Sequence, residues 1–328
     1  MNELSRTPPI AARRLSFSPI RALAARGAGP DGRRFWIPVF LLPFLLLYGG
    51  FTIWPLLATA YYSLFNWDGI RPLSEFVGLG NYQKIVADPI FWLAFKNTLV
   101  FAVVETAIKL PLALFVAILL TRRWLLFKTF FRTVFFLPII LPVALAGLVF
   151  TYLLNPSNGA IDSFLADRGW IHTPIDLLGH GNTALIAIIL VAVWQIFGQY
   201  MVYWMAALQN VPEDVYEAAD IDGANEVQKL IHITLPLIRP VALIITLLAL
   251  VNALHVFGVV VTLTAGGPGQ ASYTVSYFIY NEAFSEAPFR YGYGSAAALL
   301  FAVLAFMFVT GQAAIARGAE RMRKDYSV

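Results

Sequence analysis

Long apolar runs recur along most of this chain, each comparable to the ~20 residues a helix needs to cross a bilayer. Inside lipid every backbone N–H and C=O must find its partner within the protein, so such runs specify helices or a closed barrel, and runs of this length specify helices. The composition agrees. Hydrophobic residues make up 59% of the 328 and charged residues 13%, against roughly 45–50% and 25% in an ordinary soluble domain. The fold class read from these features is an all-α polytopic membrane protein with six transmembrane helices. The spans are expected at 35–65, 97–120, 131–154, 182–209, 240–264 and 293–316, with Pro43, Pro55, Pro138 and Pro142 as kink sites. Residues 1–34, rich in Arg, Ala, Pro and Gly, read as a disordered tail, 35–316 as the membrane domain, and 317–328 as a short basic tail.

The basic residues test the span count. Seven precede the first span, four lie at 122–132, two are Lys229 and Arg239, and four follow the last span, all on the side that six spans assign to the cytoplasm. Arg71, Lys84, Lys96, Arg168 and Arg290 fall on the other side and Lys109 within a span, which accounts for all 23. Lys and Arg accumulate on the cytoplasmic side of membrane proteins, so both termini are placed inside. The small residues Ala58, Thr59 and Ala60 follow an apolar stretch as at a signal-peptide cleavage site, but that stretch exceeds the ~7–15 residues of a signal core, and the segment is read as a span.

Between spans four and five, a polar segment at 210–238 has the marks of two short helices. Asn210 is placed as N-cap with Glu213 completing a capping box, and Pro212 and Asp214 suit a first turn. Gly223 is expected to close that helix in a left-handed turn, and Pro236 to stop the second one. Small Ala218 and Ala219 would let another surface come close. Glu217-Ala218-Ala219, Gly223 and Ile233-x-Leu235-Pro236 match the EAA motif at every position. The chain therefore resembles the permease subunits of binding-protein-dependent ABC importers.

The likeness extends from Phe76-Val77-Gly78-Leu79-Gly80-Asn81-Tyr82, Asp88-Pro89 and Asn97-Thr98-Leu99, through Leu208-Gln209-Asn210-Val211-Pro212, to Leu263-Thr264-Ala265-Gly266-Gly267-Pro268-Gly269 and Tyr293-Gly294-Ser295-Ala296. It points to the carbohydrate-uptake subfamily related to maltose and glycerol-phosphate permeases. What the resemblance implies is an inner-membrane assembly of two permease subunits, two ATPase subunits that bind the EAA helices, and an extracytoplasmic binding protein that delivers a sugar-like solute. It also implies that Glu217 pairs with a basic residue of the ATPase and that Gly223 makes the turn. ATP and Mg would sit on the partner ATPase, with no cofactor on this chain and no nucleic acid among its partners. An importer of a non-sugar solute and a stand-alone secondary transporter are the alternatives.

Other chemistries find no motif. No glycine precedes any of the six lysines, so a P-loop is absent and the ATPase must be another chain. With no Cys, thiolate metal sites and disulfides are excluded. The four histidines, His172, His180, His232 and His255, lack metal-ligand spacing. The acidic cluster Glu213, Glu217, Asp220 and Asp222 is explained by helix-start charge and docking, and the chain is read as a transport subunit without catalytic residues. Within span two, Glu105 and Lys109 are four residues apart and pair on one face, either as part of the solute pathway or as a structural ion pair. Trp194, Gln195, Gln199 and Tyr203 on span four, with Asn252 and His255 on span five, are candidates to line that pathway; interhelical hydrogen bonding would explain them equally well.

Overall fold

The computed structural model describes residues 30–122, 125–285 and 287–325. Most of the tail predicted at 1–34 lies outside these, and its last residues begin a helix. The chain divides into two compact units, Met1–Ala58 and Thr59–Val328.

The first unit holds α1 (Pro30–Tyr48), a π-helical turn at Gly49–Ile53 and the start of α2 (Trp54–Tyr62). Together they supply the apolar stretch Trp36–Tyr62. Pro55 stands two residues beyond the π turn, where the Trp54 N–H reaches back to the Gly49 carbonyl. A proline ring clashes with the carbonyl four residues before it, and a locally widened turn makes room for it.

The second unit continues through α3 (Gly80–Val86), α4 (Pro89–Thr121), α5 (Lys128–Ile140), α6 (Val143–Leu153), α7 (Ala160–Asp167), α8 (Gly181–Leu208), α9 (Glu213–Ile221), α10 (Glu226–Lys229), α11 (Leu235–Leu254), α12 (Gly258–Leu263), α13 (Val275–Tyr280) and α14 (Tyr291–Asp325). Among the described residues there is no strand, only an isolated antiparallel bridge between Phe65 and Phe76. Five helical segments are long and apolar enough to cross a membrane, and a bent pair makes a sixth. The architecture is therefore all-α and polytopic.

The centre of this unit is the pairing of α4 with α8. On α4, Ala94, Ala102, Ala113 and Ala117 are fully buried, and on α8 so is Ala184. Water does not drive helix association within lipid; close contact does, and small side chains permit it. Phe91, Phe101, Tyr200 and Met201 fill the remaining space. α5 packs on α8, α11 on α4, and α6 on α12. At the last of these contacts a side chain on Gly147 would collide with Thr262, so glycine is needed for the approach.

Two of the expected spans are broken. The third, expected to kink, turns by 96° between α5 and α6. Leu141 (φ −69°, ψ 129°) and Pro142 (φ −54°, ψ 136°) are both extended, because proline's Cδ drives the preceding residue out of the helical region. The fifth starts earlier and ends earlier than the expected 240–264: α11 stops at Leu254, and α12 restarts at Gly258 after Phe257 (φ −143°, ψ −62°). The expected basic tail at 317–328 continues α14 as far as Asp325.

Candidate functional site

The two breaks face one cavity of about 190 Å³, with Val143 and Gln195 on one side and Asn252, His255 and Phe257 on the other. Glu105 and Lys109 of α4 complete the wall. Lys109 Nζ donates to Glu105 Oε1 at 2.7 Å and Oε2 at 2.8 Å, and both side chains are at most 2% exposed. The ammonium also lies 4.2 Å above the Tyr200 ring, so a cation–π contact adds to the ion pair. Tyr200 in turn accepts a hydrogen bond from Asn252 Nδ2 at 3.1 Å. Helices α4, α8 and α11 are thus tied together by one polar network, as buried charge in a membrane requires.

Gln195 belongs to the same wall. Its Nε2 donates to the Leu141 carbonyl at 3.1 Å, capping an oxygen that the α5–α6 break sets free, while its Oε1 is buried with no partner. His255 Nδ1 donates to the Val251 carbonyl at 2.8 Å, which leaves Nε2 as the ring's second polar atom.

The predicted pathway residues do not all converge. Gln195, Asn252 and His255 line the cavity; Gln199, Tyr203 and Trp194 do not. Gln199 Nε2 donates to the Tyr203 hydroxyl at 2.7 Å, and Trp194 stacks edge-on against Phe150 at 5.0 Å. Each step of four residues turns about 40° round the helix, so the two steps from Gln195 to Tyr203 carry the stripe off the wall that its first member faces. Tyr200, missed in the sequence, joins Lys109, 91 positions before it, to Asn252, 52 positions after it, with no local signal.

The 210–238 segment forms the expected helical hairpin with a different set of caps. Gly223 is left-handed at φ 76°. Its N–H reaches Asp220 O at 3.1 Å, and Ala224 N–H reaches Ala219 O at 2.9 Å, the paired bonds of a Schellman turn. The capping box lies on the second helix: Asn225 Oδ1 accepts from Val227 and Gln228 N–H, and the Gln228 side chain accepts from Asn225 N–H. Asn210 instead donates back to Ala206 O, and α9 opens after Pro212 with no side-chain cap. Pro236 does not stop the second helix. A π-helical turn at Leu230–Thr234 admits its ring into the first turn of α11, the arrangement already seen at Pro55.

Glu217 and Ala218 are exposed on α9 while Ala219 is buried, so only one of the two alanines is open to a partner. Ile221, at 88% exposure, extends the outer face. Of the other motif residues, Leu235 is exposed and Ile233 and Pro236 are half-buried. Inside the hairpin Lys229 pairs with Asp220 and with Glu226, and Tyr216 shares a hydrogen bond with Thr234. Arg122, just beyond α4, forms an ion pair with Glu226. Lys109 and Arg122 are thirteen residues apart, so a continuous helix of about 20 Å connects the cavity wall to the hairpin. At its other end, Asn97 Nδ2 donates to Ala271 O and Tyr273 O, clamping the glycine-rich loop.

A family model described as "Binding-protein-dependent transport system inner membrane component" matches residues 85–321. The chain is 33% identical over 271 residues to the "Probable ABC transporter permease protein YurN" of Bacillus subtilis, covering 81% of this chain and 91% of that one. It is 32% identical over 275 residues to the "Lactose transport system permease protein LacF" of Rhizobium radiobacter, covering 82% and 91%. It is 34% identical over 254 residues to the "sn-glycerol-3-phosphate transport system permease protein UgpA" of Yersinia enterocolitica, covering 76% and 84%. Among solved structures, a chain of a bacterial ABC transporter involved in the import of the acidic polysaccharide alginate superposes with a TM-score of 0.76 at 24% identity, covering 88% of this chain and 97% of that one. At that identity the superposition speaks to the fold.

Proposed function

This chain belongs to the family of binding-protein-dependent transport system inner membrane components, and on that premise we propose that it is one permease subunit of an ATP-driven importer for a sugar or sugar-like solute. It is a transport component, and hydrolysis falls to separate ATPase subunits. A second permease completes the pathway, and an extracytoplasmic binding protein delivers the solute. Relatives named for lactose, arabinooligosaccharides and multiple sugars support the solute class. The charge asymmetry of the loops supports an orientation with both termini and the 210–238 hairpin in the cytoplasm.

The observation that carries the mechanism is the connection of the hairpin to α4. The hairpin presents Glu217, Ala218 and Ile221 outward and grips Arg122 through Glu226, and α4 carries Glu105 and Lys109 at the cavity. ATP-driven closure of the partner ATPases moves the hairpin, and α4 conveys that movement to the cavity wall. A stand-alone secondary transporter would account for the two broken spans, but it would leave the exposed face of the hairpin without a partner. Affinity purification of the tagged chain from its native membrane tests the reading. Co-purification of an ATPase and a second permease is expected; recovery of the chain alone would contradict it.

A further inference from the structure

The relatives of this chain are named for solutes of two electrical kinds, uncharged sugars and an anionic polyol phosphate. The wall of the cavity bears on which kind fits. Of its charged groups, Lys109 is closed on both oxygens of Glu105 and roofed by the Tyr200 ring, so no ammonium hydrogen bond is spare for a phosphate or carboxylate. A phosphate would have to break that pair and leave Glu105 facing it, like charge against like. The pair as it stands presents no net charge.

A second, independent feature asks for a ligand. Gln195 is 3% exposed, and its amide is oriented by the bond from Nε2 to Leu141 O, so its unpartnered atom is an acceptor. A buried acceptor without a partner is costly unless a donor arrives. His255, oriented by its Nδ1 bond to the Val251 carbonyl, adds a second polar group to the same wall. Hydroxyl groups supply the donor that the Gln195 acceptor lacks; both kinds of solute carry them, so Gln195 asks for a polyhydroxylated solute and the closed ion pair decides its charge.

Resting on the importer reading above, we propose that the cavity between the two helix breaks takes an uncharged polyhydroxylated solute, whose hydroxyl donates to Gln195 Oε1 while the Glu105–Lys109 pair stays closed. The discrimination against charge lies in the neutrality of the pair. Anionic solutes are rejected because the one ammonium in the wall is already occupied.

The chain contains no cysteine, so a single reporter tests this. Val256 lines the cavity and takes no side-chain role in the network. In the complex purified with its partner subunits, Val256→Cys is labelled with a small uncharged maleimide in the presence of lactose, arabinotriose or sn-glycerol 3-phosphate. At least one uncharged sugar is expected to slow labelling three-fold or more, with sn-glycerol 3-phosphate without effect. Gln195→Leu in the same background should abolish the protection. Glu105→Gln, which frees Lys109, should let sn-glycerol 3-phosphate protect. Protection by the phosphate in the wild-type wall, equal protection by both kinds, or none from any probe would overturn the proposal. ATP hydrolysis measured on the same samples separates the two readings. A complex that hydrolyses ATP without sugar-specific protection refutes the neutral cavity alone, whereas a chain that assembles with no ATPase refutes both.

Discussion

Removing Lys109 alone should be far more damaging than removing the whole Glu105–Lys109 pair. Both side chains are essentially inaccessible, and Nζ contacts both carboxylate oxygens at 2.7 and 2.8 Å. Lys109→Leu strands an unpaired carboxylate among α4, α8 and α11, a change that costs about 3–5 kcal/mol in buried pairs and is comparable to the ~2.5–3.5 kcal/mol scale for a charge placed mid-membrane. Against a total stability of ~5–15 kcal/mol, that is a large loss. The double change Glu105→Leu with Lys109→Leu removes both desolvated charges and the need to pair them, and its cost should fall to about 1 kcal/mol or less, since buried pairs are often replaceable by apolar side chains. The difference of at least about 2 kcal/mol, roughly thirty-fold in the folding equilibrium, is a lower bound on the coupling energy of the double-mutant cycle that the destabilising Glu105→Leu single variant completes. Denaturant unfolding of the purified chain in detergent, followed by Trp fluorescence, measures it. A Lys109→Leu protein as stable as wild type, or a double variant no better than the single, would refute the argument that the pair is held by mutual neutralisation.

Further outcomes follow from the hairpin and from the helix contacts around the cavity. Gly223→Ala must hold φ near 76° with a Cβ, at about 1–2 kcal/mol, and should leave the chain inserted while lowering solute-stimulated ATP hydrolysis several-fold in the assembled complex. Asn225→Ala loses the side-chain half of the capping box, the acceptor for Val227 and Gln228 N–H, worth ~1 kcal/mol, and should raise amide hydrogen exchange in 226–229 over that in α9. Arg122→Ala breaks the tie between α4 and Glu226; basal hydrolysis should persist while its stimulation by solute-loaded binding protein falls, and unchanged stimulation would remove α4 from the coupling route. Gly147→Val would push Thr262 away and separate α6 from α12, costing about 1–3 kcal/mol; Thr262→Ala should recover part of the loss in thermal unfolding.

The parts of this fold that local chemistry controls were legible. The fourth span, expected at 182–209, is observed at Thr183–Leu208, because its apolar run is uninterrupted. Gly223 takes the left-handed turn that its position required, and Glu105 meets Lys109 because four residues make one turn of helix. Where two local solutions competed, tertiary contacts chose between them. Asn210 and Asn225 are both chemically fit to cap, yet Asn210 is held by the last turn of α8 and only Asn225 starts a helix. Prolines were read as kinks or stops, but the chain has three responses: a π turn before Pro55 and Pro236, uninterrupted helix through Pro111, and a full break before Pro142. The break is tolerated because Gln195, 54 residues further on, takes the freed Leu141 carbonyl. No window of sequence contains both partners. For the same reason the cavity was only half visible: its polar residues stood out one by one, while Tyr200, which joins them, looked like any aromatic residue in a buried span.

The central claim is that the chain is driven from outside itself, through the hairpin. ATP-dependent solute uptake into proteoliposomes holding the assembled complex, compared between wild type and Glu217→Lys, tests it most directly. Uptake should require ATP and the binding protein and should be lost in Glu217→Lys with the complex otherwise intact. Uptake by the chain alone without ATP, or unchanged ATP-driven uptake in Glu217→Lys, would contradict it.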